Sequence, residues 1–185
     1  MNTKEQLRQN KLLERNEINT EDKEYLDHRI CHRLFQQSFL EKANTVFVYC
    51  SYKSEASTYE IIARLFEQGK KVAAPRVAGN KMDFYLIDSF DCLEKGYMGI
   101  SEPKAECAIC YPDVNDVILV PGVVFDRRLF RIGYGGGFYD KYLSENKRAY
   151  SVGIAYEFQV IDEIPIDSWD RGLDLIITDK NIIKI

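Results

Sequence analysis

The stretch with the most chemical content opens at Pro121-Gly122 and passes through Phe125-Asp126-Arg127-Arg128. It ends in Arg131-Ile132-Gly133-Tyr134-Gly135-Gly136-Gly137-Phe138-Tyr139-Asp140. Four glycines within five positions free the backbone to take positive φ and to approach a ligand closely. Exposed N–H groups in such a loop form a concave anion site, and a helix starting near Phe138 adds its N-terminal donors. Arg127, Arg128, Arg131 and Lys141 supply local positive charge. Asp140 puts a carboxylate where a phosphate-bound Mg²⁺ takes a protein oxygen. Phosphate handling is the chemistry these residue types offer. The pattern is not a Walker loop, because no Gly-Lys-Ser/Thr closes it, and it is not a clean G-x-G-x-x-G. Glycines alone also fit a plain turn between core elements.

The elements that must position this loop are legible from periodicity. Residues 4–16 are charged with sparse leucines (Leu7, Leu12, Leu13), which predicts a partly exposed helix. Asn19 and Thr20 offer an N-cap for a second helix, with Leu26, Ile30, Leu34, Cys31 and Phe35 on one face. Residues 46–50 read as a buried strand, followed by a polar turn at 51–56. Ser57-x-x-Glu60 predicts a capping box ahead of Ile61, Ile62, Leu65 and Phe66, with Gly69 as the stop. A strand follows at 71–75. Residues 79–112 hold a strand at 82–87 and otherwise read as surface connection. Residues 117–121 form a buried strand running directly into the glycine loop, and further strands are expected at 152–155 and 175–178. Strand–helix–strand order with short links predicts an α/β fold, a single three-layer domain over 1–185 with a mostly parallel sheet and helices on both faces. In such sheets ligands bind beyond the carboxyl ends of the strands, and the glycine loop lies at one.

Bulk properties narrow the partners. The 185 residues are 45% hydrophobic and 29% charged, enough apolar material for a real core. A net charge of −4 gives no global field toward nucleic acid or anionic membrane, so neither is an expected partner. Five scattered cysteines (Cys31, Cys50, Cys92, Cys107 and Cys110) do not form a secreted disulfide framework, and Cys107-x-x-Cys110 reads as two ordinary thiols. No apolar run approaches a membrane span, and Met1-Asn2-Thr3-Lys4-Glu5 lacks the stretch of a signal peptide, so the expected compartment is the cytoplasm.

The long motif at 131–140, with Pro121-Gly122 and Phe125-Asp126 before it, resembles the signature of the 5-formyltetrahydrofolate cyclo-ligase (methenyltetrahydrofolate synthetase) family. Lys4-Glu5-Gln6-Leu7-Arg8, residues 47–55, Gly153-Ile154-Ala155-Tyr156, Gln159, Pro165, Asp170 and Thr178-Asp179 fall in that family's order. Leu129, where the family often has glycine, and Trp169, where histidine is common, depart from it.

The resemblance implies a Rossmann-like fold similar to the sugar-phosphate isomerase/CoA-transferase-like class. The implied reaction is ATP- and Mg²⁺-dependent conversion of 5-formyltetrahydrofolate to the methenyl form by a monomer or weak homodimer. It also implies that Lys4, Glu5, Gln6, Leu7 and Arg8, with Arg131, Ile132, Gly133, Tyr134, Gly135, Gly136, Gly137, Phe138 and Tyr139, bind ATP. Arg131, Tyr134 and Lys4 take catalytic roles, and Asp140 and Asp170 hold Mg²⁺. Cys50, Ser51 and Glu55 line the folate pocket, with Tyr134, Gly135, Gly136, Gly137 and Phe138 along the substrate. Each has a plainer reading: Lys4 and Arg8 as solvated helix charges, Glu55 as a helix cap, Cys50 as packing, Asp170 as a turn residue. The rival functions are an ATP-using enzyme for another small acid, a binding protein without turnover, and a sugar-phosphate isomerase.

Overall fold

The computed structural model describes residues 3–96 and 99–185. Helix α1 (Lys4–Asn16) opens with a capping box in which Thr3 and Gln6 exchange side-chain and backbone hydrogen bonds. Helix α2 (Thr20–Phe35) is capped by Asn19, whose side chain accepts from the Asp22 N–H at 2.9 Å. A short α3 (Ser38–Lys42) leads into β1 (Thr45–Phe47), and Val48 adds one more ladder bond, its N–H donating to the Ala73 carbonyl at 2.8 Å.

Helix α4 (Tyr59–Glu67) corrects one expectation. Its N-cap is Thr58, and no side chain caps it; the Ser57–Glu60 capping box is absent. The Ser57 N–H donates to Asp27, the Thr58 hydroxyl donates to the Tyr49 carbonyl, and Glu60 turns to His28. Tertiary partners thus took the groups a local cap would have used. At the other end Gly69 (φ +67°) and Lys70 return N–H bonds to the Phe66 and Leu65 carbonyls, a Schellman ending.

The remaining strands are β2 (Lys71–Ala78), β3 (Lys81–Ile87), β4 (Leu93–Lys95), β5 (Ser101–Pro103), β6 (Ile109–Cys110) and β7 (Val117–Val120). After them come β8 (Val124–Asp126), β9 (Arg131–Ile132), helix α5 (Phe138–Glu145), β10 (Tyr150–Ile154), β11 (Val160–Ile161), β12 (Leu175–Ile177) and β13 (Ile182–Ile183). The main sheet has the order β13-β12-β10-β7-β1-β2-β3-β6. Its five central strands, β12 to β2, are parallel, and the antiparallel strands sit at its two edges. The stretch 79–112 is more ordered than its sequence suggests: β4 and β5 make a separate antiparallel ribbon, and β6 joins the sheet edge.

Alternate residues of the central strands enter opposite layers. Val46, Val117 and Leu119 pack with Ile30, Leu34, Ile61 and Leu65 under α2 and α4. Phe47, Ile118 and Val120 pack with Tyr142 and Leu143 under α5. Helices therefore cover both faces, as a parallel sheet with apolar residues on both sides requires. Strands β11, β8 and β9 form a small second sheet, against which α1 lays Leu7 and Leu12 beside Val123, Val124, Ile132 and Ile164. No helix among the described residues is long and apolar enough to cross a membrane.

Gly153, near the end of β10, lies against the Phe125 ring of the small sheet. A Cβ there would lie 2.8 Å from both the Phe125 ring and Leu173 and 3.2 Å from Ile176. Gly153→Ala is expected to lower stability by about 1–3 kcal/mol through overpacking. An unchanged urea midpoint would show that Phe125 and Leu173 can step aside.

Candidate active site

The carboxyl ends of β1, β7 and β10 point to one edge of the sheet, and four segments gather there. They are the turn 51–56 after β1, Pro121-Gly122 after β7, the glycine loop between β9 and α5, and the turn 167–171. A polar framework holds them in place. Asp126 is fully buried at the end of β8 and accepts from the N–H groups of Arg128, Phe130 and Ile164 and from the Arg128 guanidinium. This shapes the turn that sends the chain into β9. In it Leu129 takes φ +70°, the conformation glycine adopts freely and leucine adopts at roughly 1–2 kcal/mol. Its burial, and the bond from the Leu173 N–H to its carbonyl at 2.8 Å, hold it there. Gln159 donates to the Gly122 and Val123 carbonyls at 3.2 and 2.9 Å and so stitches the end of β7 to the segment after β10.

Arg131 and Asp140 close the glycine loop. The buried Arg131 guanidinium donates to both Asp140 oxygens at 3.1 and 3.4 Å, and the Arg171 N–H donates to the same carboxylate at 3.0 Å. Burial lowers the Arg131 pKa, and the Asp140 charge works against that. Between these anchors Gly135 (φ +104°) and Gly137 (φ +66°) take backbone conformations that side chains resist. Gly136 leaves room for the Phe138 ring, which would lie 2.9 Å from a Cβ at that position. Gly137 caps α5 with no side-chain bond, so the helix's first amides remain available to a ligand. Among the described residues Arg131 Nε and the hydroxyls of Tyr139 and Tyr142 are buried without a partner, which is costly.

Helix α1 lies across this loop with Lys4, Arg8 and Arg15 on one face. Arg8 Nε donates to the Gly133 carbonyl at 2.8 Å, and its guanidinium also pairs with Glu5. Lys4 bridges Asp167, at 2.6 Å, and Asp170. Burial alone would lower the Lys4 pKa, but its hydrogen bonds to those two aspartates outweigh it and raise it above the usual value. Lys4 and Arg8 are thus engaged rather than solvated. Gln6 serves the N-cap and Leu7 the apolar contact with the small sheet.

Arg15, which the sequence reading passed over, is 2% exposed. It donates to Ser54 Oγ at 3.2 Å, to the Gly122 carbonyl and to the Tyr134 hydroxyl. Its place two turns on from Arg8, on the same face of α1 as Lys4 and Arg8, is the sequence signal that could have found it. Arg127 and Arg128, expected near the phosphate loop, instead pair with Asp162 and with Asp126 and Glu163.

On the other side of the site the Tyr52 N–H donates to Glu55 at 2.7 Å, so Glu55 closes its own turn and does not cap α4. Burial raises the Glu55 pKa, opposed by that N–H, the Arg15 charge and the Tyr134 hydroxyl. Burial and the Glu55 charge push the Tyr134 hydroxyl up to about 12. Ser51 and Thr58 exchange hydrogen bonds at 3.0 and 3.1 Å. The Cys50 thiol is buried and pushed up to about 12, a packing group and not a nucleophile. All five cysteines are free.

Asp140 and Asp170 flank the Arg171 amide with partly exposed carboxylates, each already held by a cation. Among the described residues no three His, Cys, Asp or Glu side chains converge on one metal position. The donor set is hard oxygen and too small for a resident ion. It fits a Mg²⁺ that arrives with phosphates, which completes its shell from phosphate oxygens and water.

An open, mostly parallel sheet with an anion-shaped loop at its carboxyl edge defines an α/β enzyme class whose ligands sit above the strand ends. The 5-formyltetrahydrofolate cyclo-ligase family profile matches residues 1–179, and the chain belongs to that family. It is 32% identical over 172 residues to the probable 5-formyltetrahydrofolate cyclo-ligase of Schizosaccharomyces pombe, covering 84% of each chain. The solved 5,10-methenyltetrahydrofolate synthetase of Aquifex aeolicus superposes with a TM-score of 0.88 at 33% identity, over 98% of this chain and 92% of that one. The Mycoplasma pneumoniae synthetase gives 0.77 at 28% identity, over 95% and 98%.

The raised Glu55 pKa has a thermodynamic consequence. Between the ordinary glutamate value and its own, the folded protein binds a proton that the unfolded chain has released, so stability falls as pH rises through that window. Glu55→Gln is expected to flatten this part of the stability–pH curve of the ligand-free protein. An unaltered curve would show that Glu55 is not held neutral by burial.

Proposed function

We propose that the protein converts 5-formyltetrahydrofolate and ATP to 5,10-methenyltetrahydrofolate, ADP and phosphate, in the cytoplasm. The observation that carries this reading is the convergence of Arg131 and Arg8 on the glycine loop and of Lys4 on the adjoining 167–171 turn, at the sheet's carboxyl edge, in a member of this family. The formyl group on N5 is an amide, whose oxygen is a poor leaving group. Transfer of the γ-phosphoryl group to that oxygen breaks the bond to the bridging oxygen and releases ADP. N10 then attacks the formyl carbon, the C–O bond breaks with loss of phosphate, and the N10 proton goes to solvent. Such a reaction needs positioning and charge stabilisation more than a protein nucleophile, in keeping with the inert Cys50.

The glycine-loop amides and the start of α5 cradle the triphosphate, flanked by Lys4, Arg8 and Arg131. Glu55, Ser51, Tyr134 and Phe138 hold the pterin side. Mg²⁺, held by Asp140 and Asp170 together with the phosphates, would neutralise the charge shared by the β and γ groups. In the free protein these cations and carboxylates satisfy one another. A triphosphate therefore draws Lys4 off Asp170, and the same exchange frees a carboxylate for the ion.

The test is the methenyl-folate absorbance with 5-formyltetrahydrofolate, Mg²⁺ and protein, with and without ATP. An ATP-dependent rise is expected; no rise despite ATP binding would point to a different acceptor. Asp140→Asn is expected to cut turnover roughly 100-fold or more by loosening Arg131, and to raise the Mg²⁺ concentration needed for half-maximal rate. A fall in turnover with an unchanged Mg²⁺ requirement would leave Asp140 as the partner of Arg131 alone.

A further inference from the structure

A groove of about 390 Å³ runs along the outer face of α2, and none of its lining residues belongs to the site described above. Tyr25, His28, Arg29, His32, Arg33 and Gln36 line it, at the spacing of one helical face. The buried residues of the same helix, Asp27, Ile30, Cys31 and Leu34, face the core instead. The volume is within the usual range for small-molecule sites. The chain carries a net charge of −4, yet this groove gathers two arginines and both of the chain's histidines.

The arginines are fixed without being neutralised. Arg29 Nε donates to the Asp179 carbonyl at 2.9 Å, and its Nη1 donates to the Tyr25 hydroxyl at 3.1 Å. Arg33 Nε and Nη2 donate to the Thr178 and Asp179 carbonyls at 3.1 and 3.3 Å. Every one of these partners is an uncharged oxygen. Arg29 Nη2 and Arg33 Nη1 have no partner among the described residues. The carboxylates nearby are engaged elsewhere or on the rim. Asp179 accepts the Glu157 N–H at 2.7 Å, Glu157 takes the Thr178 hydroxyl and the Asn181 amide, and Glu60 meets His28 at 3.1 Å.

Tying α2 to the end of β12 accounts for one edge of each guanidinium. It does not account for the outer N–H groups, the two imidazoles, or Tyr25, which is 60% exposed with the Arg29 guanidinium 5.7 Å from its ring centroid. The helix dipole favours the charge of His32 and Arg33 in the last turn. His28 and Arg29 lie before that turn. A guanidinium already held by backbone carbonyls has little side-chain freedom left to lose when an anion arrives. Two guanidiniums and two imidazoles also offer more donors than one planar carboxylate can accept, whereas a phosphate group presents three strong acceptor oxygens.

We propose that the α2 groove is a second anion site, separate from the glycine loop, that binds a phosphate group. Arg29 and Arg33 hold its oxygens, His28 and His32 flank it, and the Tyr25 ring gives a surface for an organic substituent. The ligand class is free phosphate or the phosphate ester of a small molecule.

His28 and His32 are the only histidines in the chain, so their ring-proton NMR signals are local reporters of the groove. At about pH 6.5, within the range where histidine titrates, and at constant ionic strength, inorganic phosphate and phenyl phosphate should each shift both signals saturably. Tighter binding of phenyl phosphate assigns the site to a phosphate ester resting on Tyr25; equal binding assigns it to free phosphate. Arg29→Gln removes an exposed charge and should weaken phosphate about threefold or more. Arg148→Gln, the same charge change on an exposed arginine outside the groove, should leave the affinity unchanged. His32→Gln, on an exposed ring and followed through the His28 signal, should weaken phosphate about twofold. The absence of a saturable shift, an equal response to citrate, equal weakening by Arg148→Gln, or unchanged affinity in both groove variants overturns the site. The readout uses neither folate nor turnover, so its outcome is independent of the cyclo-ligase reading.

Discussion

The ion pair between the buried Arg131 and the partly exposed Asp140 is the constraint on which the site depends. A guanidinium in a low-dielectric interior is tolerated only with its counter-charge in place, and removing one partner of such a pair typically costs about 3–5 kcal/mol. Arg131 ends the small sheet and Asp140 lies in the first turn of α5, so the pair pins both ends of the intervening loop. With the ends fixed, the chain between them must turn back on itself in few residues. It does so through Gly135 and Gly137 at positive φ, where side chains are strained. The same carboxylate accepts the Arg171 amide, so the 167–171 turn is set by the pair as well.

Helix α1 supplies the second tie. Lys4, Arg8 and Arg15 share one face and reach three different parts of the site: the 167–171 turn, the Gly133 carbonyl, and the Tyr134 hydroxyl beside Glu55. These contacts span more than a hundred residues of sequence, so α1 brings no local stability of its own to them. Its anchorage is the apolar contact of Leu7 and Leu12 with the small sheet. Packing holds the helix, and the helix holds the charges.

The regular elements were readable because their signals are local. Periodicity placed α1, α2 and α4 and the cores of β1, β2, β7, β10 and β12 close to where they lie. The small sheet was not readable: β8, β9 and β11 have two or three residues each, too few to show a period, and their pairing is decided by Asp126, whose partners lie as far off as Ile164. The Ser57–Glu60 cap failed for a related reason, since the pattern was present but Asp27 and Tyr49 offered those backbone and hydroxyl groups better-placed partners. A local rule describes what the chain does when nothing else competes, and around this site nearly every polar group has a distant competitor.

The site divides along the same line. The glycine loop and its flanking Arg131 and Asp140 announce themselves because loop geometry and charge are encoded in consecutive residues. Arg15 was missed because a lone arginine late in a charged helix looks solvated until the fold wraps Ser54, Gly122 and Tyr134 around it. Arg128 erred in the opposite direction: its neighbours in sequence suggested phosphate, while Asp126, two residues away, had already claimed its guanidinium at 2.8 Å. Whether a cation serves a ligand or the fold is settled by which carboxylate reaches it first. At Lys4 and Arg131 the carboxylates in place belong to the same turn-and-loop system a ligand would enter, so the groups that hold the free site together are the ones a bound phosphate would rearrange.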